Sequence, residues 1–555
     1  RIVKDGSRMS SLMGSLYTGV SGLQTSNNAL NTTAHNMSNV DTTGYTRQQV
    51  AQGTRTYVTI SKSQRTSWQQ IGLGVNYSQT RQVRDLLLDK NYRREMGRGA
   101  FYDVSTKALE EIEGILGEST EGEEFSVAMS NLWTSVQELS KDPTNPVQQN
   151  LFVTRAAEFL TKASAVYTSL CQYQDDMNKT VYKDVNKINS YAEQIEALNE
   201  KIVRIEAGDV EHANDLRDQR NHLLDELGKM GSISYEENEV GYVNVKLEGF
   251  DLVKGGLINK IGLYEDPKTG FYTPYWEILA DAEYDSKGQR IVTEEGIANA
   301  KVFDLTRTIS SDLNTDIGSL KGTLLARGDH HATYAEMKDI NTDGVYEEGW
   351  YNSHISQSIV MNVEAEFDQL INAIATKING ILEDAANREG AADVSSYLRD
   401  ENGNPYQLFQ KSIDAGDWTV SNMVINADLR QNPTLLSFRL SDHSEDNETM
   451  EKLKTAFSES VYTLNPNVQT PVNFVNYYKN LVGQVANSAY VFRGVQESQT
   501  VTTDALFSAR EQIVGVSSDD ELTNMIMYQN AYNASSRYIN VISEMLEHIL
   551  TTLGR

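Results

Sequence analysis

Cysteine occurs once in the 555 residues, at Cys171, so no disulfide framework can hold this chain together. A lone cysteine inside a long helical stretch reads as a small packed residue. No run reaches the roughly 18 consecutive apolar residues that a spanning helix needs, which argues against a membrane protein. Basic residues are outnumbered, 49 Lys and Arg against 77 Asp and Glu, and the formal charge of -28 argues against nucleic acid, whose phosphates need a basic surface. The amino terminus lacks the basic stretch, apolar core and small-residue cleavage site of a secretory signal, which leaves a cytoplasmic protein or one exported without cleavage. Residues 1–8, RIVKDGSR, precede Met9 and are set aside as a tag or misread start.

Catalytic signatures are missing as well. There is no H-E-x-x-H, P-loop, G-x-G-x-x-G or G-x-S-x-G, so neither an enzyme nor a cofactor is expected. Among eight histidines only His330-His331, beside Asp329 and Glu336, suggests a metal cluster, and adjacent histidines in a polar loop read as solvent-facing. Asp339-x-Asn341-x-Asp343-Gly344 reproduces the first half of a calcium loop, where alternating oxygen ligands meet a glycine turn. Its twelfth position is Trp350 rather than a bidentate carboxylate, although Glu347 or Glu348 stands nearby. Two readings therefore stand, a weak calcium site and an Asx-rich turn.

What is present is a heptad rhythm at both ends. Met13, Leu16, Val20, Leu23, Leu30, Ala34 and Met37 step by three and four, with Asn27 at the one polar position of the seam. Asn27 reads either as a register device or as one more polar residue in an Asn-rich helix. The rhythm returns in Met525, Tyr528, Tyr532, Ser535, Ile539, Ile542, Leu546, Ile549 and Leu553. Charge is nearly absent from these helices: Met9–Thr46 holds only Asp41, and Leu522–Ser543 only Arg537. Solvated helix faces normally carry Lys, Glu and Arg, so these faces are expected to lie against protein. A second apolar line, Ala531, Ala534, Tyr538, Val541 and Met545, gives the last helix two greasy sides. One partner helix covers only part of such a circumference, so further neighbours are expected from other subunits.

Between the ends the length calls for several domains. Thr-, Val- and Tyr-rich sequence over Gln48–Gln79 suggests a hairpin. Helices are expected over about 81–117, 124–140, 146–206, 211–228, 354–386, 470–510 and 518–553. The third, free of internal Gly and Pro, would span roughly 90 Å at 1.5 Å per residue. From Gly231 to about Asp304 the period becomes two, as in Tyr242-Val243-Asn244-Val245-Lys246-Leu247. Mixed sequence over 391–470 includes an expected strand at Leu435–Leu440. The expected fold is mainly α with inserted β domains: paired N- and C-terminal coiled-coil helices, an elongated helical bundle and a β-rich outer domain. Residues 9–47 with 515–555 would form an inner shaft, and 48–230, 316–390 and 471–514 the bundle. Residues 231–315 would form the outer β domain, and 391–470 a small mixed insertion.

The stretch Ala29–Gln48, ALNTTAHNMSNVDTTGYTRQ, resembles the N-terminal signature of the flagellar hook-associated protein 1 family. Asn36, Asn39, Gly44, Tyr45 and Arg47 carry the match, and the ending Tyr45-Thr46-Arg47-Gln48 separates it from rod and hook proteins, which share its weaker core. Thr43 stands where the family often has proline. Asn214–Asn221 (NDLRDQRN), Gly318–Gly322 through Arg327, and Val514–Ser517 through Tyr532 resemble further family segments in order. The resemblance implies a structural subunit between hook and filament, made by self-assembly, and neighbouring hook protein below and a second junction protein above. It implies export through the flagellar channel without a cleaved signal, to an extracellular place in the flagellum, and a cytoplasmic chaperone on the C-terminal helix. A chain without disulfides and with only eight prolines suits threading and refolding. Alternative readings are another axial protein, of hook, rod or flagellin type, or a secreted adhesin or hydrolase on a flagellar scaffold.

Overall fold

The computed structural model describes residues 2–64, 67–117, 125–208, 211–284, 290–388, 397–414, 416–440 and 443–553. In chain order the elements begin with α1 (Ile2–Ser38), β1 (Gln48–Thr54), β2 (Val58–Gln64), β3 (Ser67–Ile71) and β4 (Val75–Gln82). Four helices follow: α2 (Leu86–Leu116), α3 (Phe125–Leu139), α4 (Pro146–Glu206) and α5 (Asn214–Met230). Strands β5 (Ile233–Glu237), β6 (Val243–Leu247), β7 (Phe250–Lys254), β8 (Leu257–Ile258), β9 (Ile261–Glu265) and β10 (Tyr272–Trp276) come next. Then come β11 (Ala282–Tyr284), β12 (Arg290–Val292), α6 (Glu294–Ile297), α7 (Ser319–Arg327) and α8 (Ile359–Ala386). The chain closes with β13 (Phe409–Lys411), β14 (Met423–Ile425), α9 (Ala427–Gln431), α10 (Asn447–Ser458), α11 (Phe474–Val514) and α12 (Ser518–Leu553).

The backbone of α1 starts at Ile2, so residues set aside in the sequence as unrelated continue the same helix. Helix α4 runs unbroken for 61 residues from a proline at its first position, where the missing N–H costs nothing.

Two compact units emerge. The first comprises residues 1–96, 188–260 and 501–555. In it α1 packs on α12 and on the antiparallel pair β1/β4, where the Ser21 hydroxyl accepts a hydrogen bond from the Val75 amide at 3.2 Å. Gly74, at φ +90°, permits this approach, because a Cβ there would stand 2.1 Å from Ser21 Oγ. A four-stranded antiparallel meander, β5-β6-β7-β8, belongs to the same unit. Val243, Val245 and Leu247 alternate into its buried side, as their period of two requires. The Asn199 side chain fastens this sheet to α4, donating to the Val243 carbonyl at 2.9 Å and accepting its amide at 3.2 Å.

The second unit, residues 97–187 and 261–500, is organised around α8. Val360, Val363, Phe367, Ile371, Ile374 and Ile378 recur at helical spacing and join one large apolar core. At its centre the Phe125 ring meets Phe159, Phe367 and Tyr478 with centroids 5.4, 5.1 and 4.9 Å apart. The Ser358 hydroxyl caps α8 by accepting the Met361 amide. Unusually, α8 also buries three carboxylates completely, Glu364, Glu366 and Asp368. Burial pushes the Glu366 carboxyl up to about 7 against hydrogen bonds from Asn465 and Gln484.

Three expectations differ from what is observed. The single β-rich domain expected over 231–315 is divided: the β5–β8 meander lies in the first unit, and the separate pairs β9/β10 and β11/β12 in the second. Alternation within a strand reports which side is buried, not which strand it pairs with. Leu435–Leu440 forms no strand; Phe438 sits at φ +42° and only Arg439 bridges to Glu445. Apart from 391–396, 415 and 441–442, which lie outside the described residues, the 391–470 segment does not stand apart either. Tyr397, Phe409, Val420, Phe438, Leu453 and Phe457 enter the α8 core.

Candidate assembly site

The turn from α1 into β1 is built around Asn36, whose side chain is 1% exposed. Its Nδ2 donates to the Gln48 carbonyl at 2.9 Å, while its Oδ1 accepts from the Gln48 amide at 3.0 Å and the Tyr45 hydroxyl at 2.8 Å. A buried side-chain amide so fully paired fixes both strand register and turn. Asn39 closes the helix end by donating to the His35 carbonyl, and Gly44 supplies the positive φ, +79°, that the turn needs. The imidazole of His35 meets the edge of Tyr45 at 5.6 Å.

Two distant segments dock on this turn. From α5, Asp218 accepts the Thr46 amide at 3.1 Å and Gln82 Nε2 at 2.8 Å, while Gln48 bridges to Asn214 and Asp215. Burial pushes the Asp218 carboxyl up to about 6, against hydrogen bonds from Thr46 and the charge of Arg84. From the α11–α12 junction, the Val514 carbonyl accepts the Arg47 amide at 2.8 Å, and Glu521, almost fully covered, pairs with the Arg47 guanidinium at 2.8 Å. Burial, then the charges of Asp218, Asp215 and Glu521, raises the Tyr45 phenol well above its usual value. A neighbouring set, Arg93 and Arg510 around Asp225 with Asp89, ties α2, α5 and α11 together at 2.6 to 2.9 Å. Segments 36–48, 214–218 and 514–521, each singled out in the sequence, thus form one polar knot.

On α12 the seam faces inward: Ile542 is buried, and Met525, Tyr528, Tyr532, Ser535, Ile539, Leu546 and Ile549 are partly covered. The side chain of Leu553 lies outside the described residues. The second line, Ala531, Ala534, Tyr538, Val541 and Met545, is exposed. On α1 the seam divides. Leu16, Leu23, Leu30 and Met37 are partly covered, whereas Met13, Val20, Asn27 and Ala34 are exposed, so Asn27 sets no register within this chain. Glycines of α1 also lie close against α12: a Cβ on Gly19 would lie 2.8 Å from Ile539, and one on Gly22 2.8 Å from Ser535 Oγ. Small residues let helix backbones draw near, a signal that a search for large apolar side chains overlooks.

The polar clusters of the middle sequence are engaged by their own chain. Asp339 accepts the Tyr351 amide, Asn341 accepts the amides of Asp343 and Val345, and Asp343 pairs with Lys268 at 2.8 Å. His330 is buried rather than solvent-facing, held between Asp329 at 2.6 Å and Glu336 at 2.5 Å. Burial would lower its pKa, but the hydrogen bonds with those two carboxylates prevail and push it up to about 10. Among the described residues no helix is long and apolar enough to cross a membrane.

Comparison with known proteins fits this picture. The terminal helices match two axial families: residues 16–46 the flagella basal body rod protein, and 512–552 the C-terminal part of the flagellar basal body rod FlgEFG proteins. The chain is thus an axial protein of the bacterial flagellum. Residues 109–395 match the helical domain of flagellar hook-associated protein FlgK, and the chain belongs to that family. It is 27% identical to flagellar hook-associated protein 1 of Bacillus subtilis (strain 168), over 98% of this chain and 99% of that one. The protein of the same name from Escherichia coli (strain K12) is 21% identical, over 98% and 100%. The hook junction protein FlgK of Burkholderia pseudomallei shares the fold, with a TM-score of 0.53 at 11% identity, over 76% of this chain and 99% of that one. The chain is a structural subunit of the junction between hook and filament.

Proposed function

We propose that the α1–α12 pair is the assembly element of this junction subunit, a coiled coil completed only by neighbouring subunits. The carrying observation is the exposed pair Tyr538 and Val541, on the stretch Leu522–Ser543 whose only charge is Arg537, with exposed Met545 one turn beyond. Water contact along such a face is unfavourable, and burying each Val, Leu or Met contributes about 1.5 to 3 kcal/mol. Met13, Val20 and Ala34, also exposed, extend the uncovered surface onto α1. Residues 9–47 and 515–555 then form the inner shaft. The occupants of the open faces are copies of this chain, the hook protein on one side and a second junction protein on the other. Before export through the flagellar channel, without a cleaved signal, a chaperone covers α12.

Aspartate at Val541 and Met545 tests this, since both side chains are exposed and the isolated chain should fold unchanged. Cells carrying the double variant should make hooks without filaments and release flagellin to the medium. Normal filaments and motility would overturn the assignment.

A further inference from the structure

Within the second unit, three side chains far apart in sequence converge. Cys171 lies on α4, His331 in the loop after α7 and Glu364 near the start of α8, each offering a ligand atom, all within 4.8 Å of one another. Glu364 is fully buried, and its Oε1 has no hydrogen-bond partner; nor has His331 Nδ1. These two atoms face each other at 3.8 Å, too far for a hydrogen bond. Two such ligands around one tetrahedral zinc ion stand about 3.4 Å apart, given Zn–N and Zn–O bonds of about 2.0 to 2.2 Å, so the pair needs to close by only a few tenths of an ångström. Leaving buried polar atoms unpaired is costly, and a cation between them would remove the cost.

The surroundings hold the three in place. Tyr167, one turn before Cys171 on α4, donates to the Ala332 carbonyl at 3.0 Å, and Gln174 donates to the carbonyls of Arg327 and His330. The Ala332 amide binds Glu364 Oε2 at 3.0 Å, which leaves Oε1 directed to the cluster. Phe271 meets the His331 ring edge-on at 5.3 Å. Asp175, one turn after Cys171, stands 3.4 Å from His331 Nε2. A carboxylate on the far nitrogen of a ligating imidazole is the usual way such a ring is oriented.

We propose that Cys171, His331 and Glu364 bind a zinc ion, with Asp175 positioning His331 and water completing the tetrahedron. One sulfur, one nitrogen and one carboxylate oxygen suit zinc, whereas calcium and magnesium take oxygen donors. Binding joins α4, the loop after α7 and α8. Cys171 binds as the thiolate and releases its proton to solvent.

The full chain, free of affinity tag and stripped with EDTA, is titrated with cobalt and then zinc. One cobalt ion per chain should bind with a thiolate-to-cobalt charge-transfer band, which zinc then abolishes. Cys171→Ser should lose the band while keeping its helical circular dichroism, and Asp175→Asn should weaken binding about 10- to 100-fold. Should Cys171→Ser unfold, His331→Gln, at a half-covered loop position, provides the same check. A wild-type chain that binds no cobalt, or binds it without the thiolate band, overturns the site. So does undiminished binding in a folded Cys171→Ser or His331→Gln variant.

Discussion

Helices α8 and α12 carry the same sequence rhythm and meet opposite fates. In α8 most residues are buried, and Val360, Phe367, Ile371 and Ile374 are closed in by side chains of their own chain. In α12, which is longer, Ile542 and Glu521 are the only buried residues among those described, and Leu522, Ile526, Met527, Val541, Met545 and Leu550 stand exposed. Apolar periodicity states that a face will be covered; it does not state by which molecule. Charge makes the distinction. The solvent side of α4 and α10 carries Lys, Glu and Asp, while α12 between Leu522 and Ser543 carries one arginine.

The contrast can be broken most strongly at α8. Phe367→Ala removes a ring packed on Phe125 and should cost about 3 to 5 kcal/mol, measured as a lowered urea midpoint of the isolated chain. In the polar knot, Asn36→Ala leaves the Gln48 backbone and the Tyr45 hydroxyl unpaired and should cost about 1 to 3 kcal/mol. Thermal unfolding followed by the exposure of Tyr45 would read it; an unchanged transition would mean that α12 is anchored by its seam alone.

A pH series sharpens the same point. The folded Asp218 carboxyl titrates near 6, above its unfolded value of 3.8, so the native state holds the proton more tightly. Stability linked to this group is therefore greatest below 3.8 and declines as pH rises through about 6, by on the order of 3 kcal/mol. Asp218→Asn should flatten that part of the profile, and an equally steep mutant profile would assign it elsewhere. Smallest of all, Val541→Asp should shift the stability of the isolated chain by no more than about 0.5 kcal/mol, because its side chain is exposed.

Much of this was legible in the residues. The bounds of α4 follow from Pro146 and the absence of any internal Gly or Pro, and those of α12 from an unbroken stepping of three and four. Both of its apolar lines were visible on paper, but which one the chain itself covers was not. The α1 face was not legible either, since Gly19 and Gly22 lie close against α12 and glycine carries no apolar signal. The short helix α10 lies in sequence that reads as turns, and its Met450, Leu453 and Phe457 match helical spacing only briefly. Of the polar knot, the Tyr45-Thr46-Arg47-Gln48 end was visible as a motif, but its pairing with Asp218 and Glu521 depends on folding. The same holds for Glu364, Glu366 and Asp368, whose burial contradicts what charged residues on a helix usually signal.

The Arg47–Glu521 pair joins residues 474 positions apart. The clasp that follows the first helix therefore cannot shut until Glu521 has reached it. Long-range closure of this kind is slow by nature. The turn after α1 is therefore fixed in full only once the start of α12 has docked on it.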